Sequence, residues 1–490
     1  MSRIVVIGGG LAGITAAVAL QETGAEVTLL EARPRLGGAT CSFNRDGLVV
    51  DTGQHIFLRC CDAYQGLLAR LGVSDLVRLQ DRFDVTVLRP GAPGRPPRRA
   101  RLRRNGLPGP LHLGAALAAY PLLSVPERLS VGRAALAIQR LRLSDPAGDQ
   151  VRLGDWLAAR GQSEQARRAL WDLFTVSALN IAGDDANLAL AAIVVKTGLL
   201  GRNDAADIGV PAVPLGDLHG QAAMDLLRGR GADVRLGAKV AAVEPRHRGG
   251  FTVRLGRLAD AANGADGSGP GEPAAGAGAV LAADGVVVAV PPEQAARLVP
   301  PAAVRSAASW RELGASPILN VHVLYDRRVM NLPFAAAVDS PVQWVFDRTE
   351  PSGLARDPGR AGGQYLAVSV SAADGLVDVP AAELREIFVP ALSALFPAAR
   401  TARITEFFVT RERRATFRQV PGCERLRPPA VTALPGLTLA GAWTDTGWPD
   451  TMEGAVRSGL NAARELRRAL GAPARLAAVP HPAVTTGADA

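Results

Sequence analysis

The sequence predicts an α/β fold: a parallel-sheet nucleotide-binding unit written in several pieces, interleaved with an α+β unit and a largely helical insert. Three observations carry this. A strand-like run at 3–7 leads into the glycines 8–13, an Ala-rich helical stretch to Gly24 and a second apolar run at 26–30, which is the order strand, turn, helix, strand. Helical text then dominates 107–200, and a buried strand pattern returns only at 284–290 and from 437. The 490 residues, against about 150 per domain, leave room for two or three domains.

In chain order, 59–72 reads as an amphipathic helix closed by Gly72, and 81–104 as a strand followed by an Arg/Pro-rich loop. Apolar periodicity marks helices at 127–143 and 164–179. A strand pair is expected over 233–243, a strand at 251–255, and further strands at 319–325, 342–346, 364–370 and 403–409. The Ala/Gly/Asp/Pro tract 259–279 has too little to bury and is expected as a flexible loop, and 471–490 as a disordered tail. The nucleotide-binding unit is thus expected from 1–80, 205–290 and 430–470, and the substrate-binding unit from 81–204 and 291–429.

Net charge is +9, but only two of the 55 basic residues are lysine, and seven arginines fall between Arg89 and Arg104 with no acid among them. The basicity is therefore local. Such a run is read first as a solvated loop and next as a contact for anionic lipid headgroups; without interleaved aromatics it does not point to nucleic acid. Four cysteines without a CxxC pattern or a Cys/His cluster argue against disulfides and metal. The opening residues lack the pattern of a signal peptide, so the expected location is the cytoplasm. The uncharged stretch 107–126 has membrane-like length, but Pro108, Pro110, Pro121 and Pro126 would break a spanning helix. It is expected to touch the inner face of a membrane without crossing it.

The chemistry begins at Gly8, Gly10 and Gly13, which fit GxGxxG between a strand and a helix, with Glu31 ending the next strand. Gly8 permits the turn, Gly10 lets backbone N–H groups approach a pyrophosphate, Gly13 lets the helix pack closely, and Glu31 accepts from ribose hydroxyls. This is a dinucleotide site. Near the C-terminus, Gly441 to Asp445 runs from a strand into a turn, and Asp450 with Glu453 reads as a capping-box-like helix start before Gly454 and further small residues. A helix N-terminus there favours negative charge on a bound ring.

Beyond Glu31, the run Ala32-Arg33-Pro34-Arg35-Leu36-Gly37-Gly38 resembles the FAD-binding fingerprint of the flavin amine oxidase and carotenoid desaturase superfamily, with Arg35 as the nearby basic anchor. Together with 37–43, 51–61 and 441–449, the chain looks like the squalene-associated FAD-dependent desaturase family, the hydroxysqualene dehydroxylases. The resemblance implies a glutathione-reductase-type, Rossmann-like FAD domain. It also implies a cofactor set of Gly8, Gly10, Leu11, Ala12, Gly13, Glu31, Ala32, Arg35, Gly37, Gly38, Gly53, Gln54, His55, Val240, Gly441, Asp445, Met452, Glu453 and Gly454.

The same resemblance implies reductive removal of the hydroxyl of a C30 isoprenoid alcohol, hydroxysqualene, to give squalene, with hydride from reduced FAD and an external electron donor. His55 is a candidate proton donor, and an ordinary hydrogen-bonded histidine is the other reading of it. At about 0.8 kcal/mol per methylene, so large a hydrocarbon is never free in water, and an apolar mouth at a membrane is the expected entry. A carotenoid-type desaturase, running hydride from substrate to FAD, shares the fold and cofactor. A non-catalytic prenyl-binding escort protein is the third reading. An amine oxidase, with its aromatic cage and flavin-facing lysine, suits a chain with four Tyr and two Lys less well.

Overall fold

The computed structural model describes residues 1–92, 95–143, 145–256, 278–360 and 362–471. The expectations for 259–277 and 472–490 lie outside them.

A five-stranded parallel sheet forms the first layer. Its order is Asp233–Arg235, Glu26–Leu30, Arg3–Ile7, Gly285–Val288 and Leu437–Leu439. Arg3–Ile7 is central, pairing in register with Glu26–Leu30 on one side and Gly285–Val288 on the other. The central strands Arg3–Ile7 and Gly285–Val288 are covered on both faces and so are apolar without alternation: Ile4 and Val6 pack under the helices, whereas Val5 and Ile7 enter the opposite core. The first helix, Leu11–Gln21, lies against the last, Met452–Ala469. Gly459 is the contact that permits this, since a Cβ there would come within 2.3 Å of the Ala12 carbonyl oxygen.

The second layer is a seven-stranded sheet in the order Ile404–Thr416, Ser316–Tyr325, Gln364–Val370, Trp344–Asp347, Phe334–Ala337, Asp84–Arg89 and Arg98–Arg103. One face packs on the helix Ala381–Leu395 through Leu319, Val321, Val345, Val368 and their neighbours. The opposite face carries a row of paired residues, Thr410, Asn320, Ser369, Trp344, Ala336, Val87 and Ala100. Trp344 and Ala336 belong to the same core as the helical insert.

Three expectations change. The arginine run is not simply a loop: Arg98–Arg103 is the edge strand of a hairpin. Alternation explains it, because Ala100 and Leu102 turn inward while Arg99, Arg101 and Arg103 stay exposed. The segment expected as a strand pair at 233–243 instead sends Asp233–Arg235 to the parallel sheet and Val240–Pro245 to a separate antiparallel sheet, the chain turning at Gly237 with φ of +65°. The stretch after Leu107 is a strap of short turns, Leu111–Leu113 and Gly114–Ala118, before the helix Val125–Arg140. Among the described residues no helix is long and apolar enough to cross a membrane.

Candidate active site

The glycine turn has two kinds of glycine. At Gly13 a Cβ would lie 1.8 Å from the Gly8 carbonyl oxygen, and at Gly8, with φ of +108°, 2.3 Å from that of Ala289. These two serve packing. At Gly10 the nearest atom to a Cβ would be Gly38 Cα at 3.8 Å, so the space above Gly10 is open. The Gly37 N–H donates to the Gly9 carbonyl at 2.8 Å, bringing the second glycine pair onto the first. The first-turn N–H groups of Leu11, Ala12 and Gly13 have no intrahelical acceptor and so face outward from the helix start.

Glu31 closes this cradle. Its Oε2 accepts the Gly9 N–H at 2.6 Å and its Oε1 the Arg33 N–H at 2.8 Å, leaving lone pairs for ribose hydroxyls. Ala32 is exposed beside it. The Glu31 carbonyl accepts from Ala238 at 2.8 Å, two residues before Val240 opens its strand.

A second loop follows the strand Leu48–Asp51. Asp51 is buried and takes three donors: Ser42 Oγ at 2.6 Å, the Leu215 N–H at 2.9 Å and Arg348 Nη2 at 2.5 Å. This fixes the exit of the chain into Thr52, Gly53, Gln54 and His55. The His55 ring packs on Gly53, where a Cβ would meet its Cε1 at 2.9 Å. Burial lowers the His55 pKa, opposed by the Gly53 backbone and by Asp51. His219 lies nearby, bonded to Tyr64 Oη at 2.7 Å, and burial together with His55 brings its pKa down to about 3.

The C-terminal wall departs from expectation. The helix Met452–Ala469 is capped by Thr451, whose Oγ1 accepts the Gly454 N–H at 3.2 Å, not by Asp450 and Glu453. Asp450 turns instead to the Phe417 N–H at 2.9 Å. Glu453 is buried and receives the N–H groups of Ala63 and Tyr64, at 3.2 and 2.7 Å, and Arg457 Nε at 2.7 Å. The reason is local: the helix Asp62–Leu71 starts beside it with unpaired N–H groups, and Arg457, one turn on, balances the charge. Glu453 therefore docks a neighbouring helix. Asp445 is exposed and accepts the Gly447 N–H at 3.2 Å, so its carboxylate shapes the loop. Gly441 donates to Ser458 Oγ at 2.8 Å. Arg427, absent from the sequence reading, is buried and donates to the carbonyls of Ala442, Thr444 and Trp448 at 3.1, 2.6 and 2.8 Å.

Whether these residues suit a flavin dinucleotide is answered by buried polar atoms on the two loops that lack a partner, Arg35 Nε and Gln54 Nε2. The two loops are joined where Thr52 Oγ1 donates to the Ala39 carbonyl at 2.7 Å. An unpaired buried polar group costs about 1–3 kcal/mol. Such a set beside an open glycine cradle fits a polar cofactor. Among the described residues no group of side chains is arranged to hold a metal.

A family model described as flavin containing amine oxidoreductase matches residues 11–467. The chain belongs to this family. As a flavin-containing amine oxidoreductase it is an FAD-dependent oxidoreductase. It is similar to hydroxysqualene dehydroxylase of Rhodopseudomonas palustris, 29% identical over 94% of this chain and 98% of that protein. It is also similar to 15-cis-phytoene desaturase of Narcissus pseudonarcissus, at 25% over 95% of this chain and 79% of the other. Among solved structures, cyclohexylamine oxidase of Brevibacterium oxydans superposes with a TM-score of 0.66 at 20% identity, covering 96% of this chain and 99% of that one. That last likeness concerns the fold.

Sequence reading found the cradle but missed Asn320, His219, Arg348 and Arg427. For Asn320 a signal existed: it and His322 are the polar residues at alternate positions in the otherwise apolar run 318–325, which marks one face of a strand. The arginines had none, because Arg348 finds its carboxylate 297 positions away.

Proposed function

We propose that this flavoenzyme removes the hydroxyl of hydroxysqualene reductively to give squalene. The observation carrying the proposal is that two buried polar atoms without a partner, His55 Nδ1 and Asn320 Oδ1, stand at the edge of a large apolar core: Ile56, next to His55, packs against it, and Asn320 shares a sheet row with Trp344, which belongs to it. A long hydrocarbon with one polar group suits such a border, and similarity to hydroxysqualene dehydroxylases over 94% of this chain supports hydroxysqualene as that molecule. The desaturase reading shares every feature of the cofactor site. Nothing in that reading calls for polar atoms inside the hydrocarbon site.

Gly10, the first turn of the helix Leu11–Gln21, Glu31, Arg35 and Gly38 would hold FAD, which in its reduced form would supply hydride. The protein's own residues do the rest. His55 delivers a proton to the departing hydroxyl, and its buried ring keeps water from competing. Because burial lowers its pKa, the charged form grows only below the ordinary histidine range, so the rate should rise as pH falls. The decisive experiment is anaerobic: flavin reduced on the protein, hydroxysqualene in detergent, then reoxidation and extraction. Squalene in step with reoxidation is expected; flavin that stays reduced would sink the proposal and favour the desaturase reading.

Entry is assigned to the strap. Leu107, Leu111, Val125 and Leu129 are half or more exposed, and Arg98 Nη2 donates to the Pro121 carbonyl at 2.9 Å, setting the basic edge strand beside them. Apolar side chains rimmed by arginine fit an anionic bilayer. Vesicles containing phosphatidylglycerol are expected to float the protein, with Leu111→Asp/Leu129→Asp reducing flotation at least about tenfold, since each buried leucine contributes about 2 kcal/mol. Equal failure to float with and without the anionic lipid overturns this.

A further inference from the structure

The strand Ser316–Tyr325 places Asn320 and His322 on the face opposite the helix Ala381–Leu395. His322 is fully satisfied, Nδ1 by Tyr365 Oη at 2.7 Å and Nε2 by Thr410 Oγ1 at 3.0 Å. Asn320 is not. It is completely buried, and its Nδ2 is held at 3.1 Å by the Thr52 carbonyl. A carbonyl only accepts, so this contact fixes which end of the amide is nitrogen. The end left without a donor is therefore Oδ1. Thr52 immediately precedes Gly53, Gln54 and His55, and the next residue in register across the sheet is Ser369, followed by Trp344. A buried acceptor thus stands where the apolar core meets the cofactor loop.

We propose that Asn320 Oδ1 accepts the O–H of the alcohol substrate and is the residue that selects the alcohol over the corresponding hydrocarbon. The inference rests on the dehydroxylation reading and deepens it. An alcohol brings the donor that Oδ1 lacks; the hydrocarbon product brings none and leaves the buried oxygen unpaired again. A site that bonds a hydroxyl disfavours the analogue without it, because the buried oxygen is then left unpaired. Product is thereby bound more weakly than substrate, and release follows from the reaction itself.

The test is equilibrium binding to the oxidised holoenzyme, which has no hydride to give, read from the flavin absorption spectrum with hydroxysqualene and squalene in the same detergent. The wild-type protein is expected to bind the alcohol about tenfold tighter than the hydrocarbon, one hydrogen bond's worth. Asn320→Leu should bring the ratio to about one while leaving squalene binding unchanged. Asn320→Asp, which keeps an acceptor oxygen, should retain a preference when its carboxyl is protonated. Asn320→Ala removes the same atoms without added bulk and gives the same readout if the leucine variant does not hold flavin. A preference that survives in both Asn320→Leu and Asn320→Ala overturns the proposal, as does wild-type turnover with no preference at all. A wild-type protein that neither prefers the alcohol nor makes squalene instead overturns the dehydroxylation reading.

Discussion

Gly10→Val is expected to give a folded protein that purifies without yellow colour. The space over Gly10 is open, since the nearest neighbour of a Cβ there would be Gly38 Cα at 3.8 Å, so the protein alone accepts the larger side chain. A pyrophosphate does not, because the added methyl groups occupy the volume through which backbone N–H groups would reach it. Overpacking of this sort costs about 3 kcal/mol, which corresponds to flavin retention weaker by about a hundredfold or more. Gly13→Ala is the contrasting case: its Cβ would meet the Gly8 oxygen at 1.8 Å, so the first helix must shift and thermal stability should fall. Visible absorbance and a thermal melt separate the two. A Gly10→Val protein with stoichiometric flavin would remove the cradle from the cofactor site.

Arg348→Met is expected to destabilise the protein by about 3–5 kcal/mol, the cost of stripping one partner from a buried ion pair. Arg348 and Asp51 are 6% and 5% exposed, and Arg348 Nη1 also donates to the Pro211 carbonyl at 3.3 Å. The pair joins the seven-stranded sheet to the strand that leads into Gln54 and His55. Asp51 left alone would keep only Ser42 and Leu215 as donors, and the loop it fixes would lose its anchor. Denaturant unfolding measures the loss, and Asp51→Asn combined with Arg348→Met should recover part of it because no buried charge remains. A loss below about 1 kcal/mol for the single variant would show that the pair is not what anchors the strand Leu48–Asp51 to the seven-stranded sheet.

Much of the cofactor cradle was legible because its residues are close in sequence and each glycine answers a steric demand within its own turn. The central parallel strands were legible for a related reason, since burial on both faces makes Arg3–Ile7 and Gly285–Val288 largely apolar, whereas the edge strand Asp233–Arg235 alternates and reads as half of a strand pair. What escaped lies in pairings across long separations. Glu453 reads as a cap for its own helix, yet it is satisfied by Ala63 and Tyr64, nearly the length of the chain away. The arginines 98–103 look like a solvated run until the alternation with Ala100 and Leu102 is set against a partner strand. Asn320 shows its face in the sequence, but its free oxygen follows only from the contact with Thr52.

Arg427 reaches the loop 442–448 through backbone carbonyls at three of its residues. Because a peptide carbonyl is the same whatever side chain follows it, the loop's path is dictated by a residue outside it. Two side chains within the loop still belong to that frame: Asp445, whose Oδ1 accepts the Gly447 N–H, and Thr446, whose Oγ1 accepts from Arg427 at 3.2 Å. For anyone wishing to vary this loop, 442 is the adjustable position, and Arg427, Asp445 and Thr446 are the ones to leave alone.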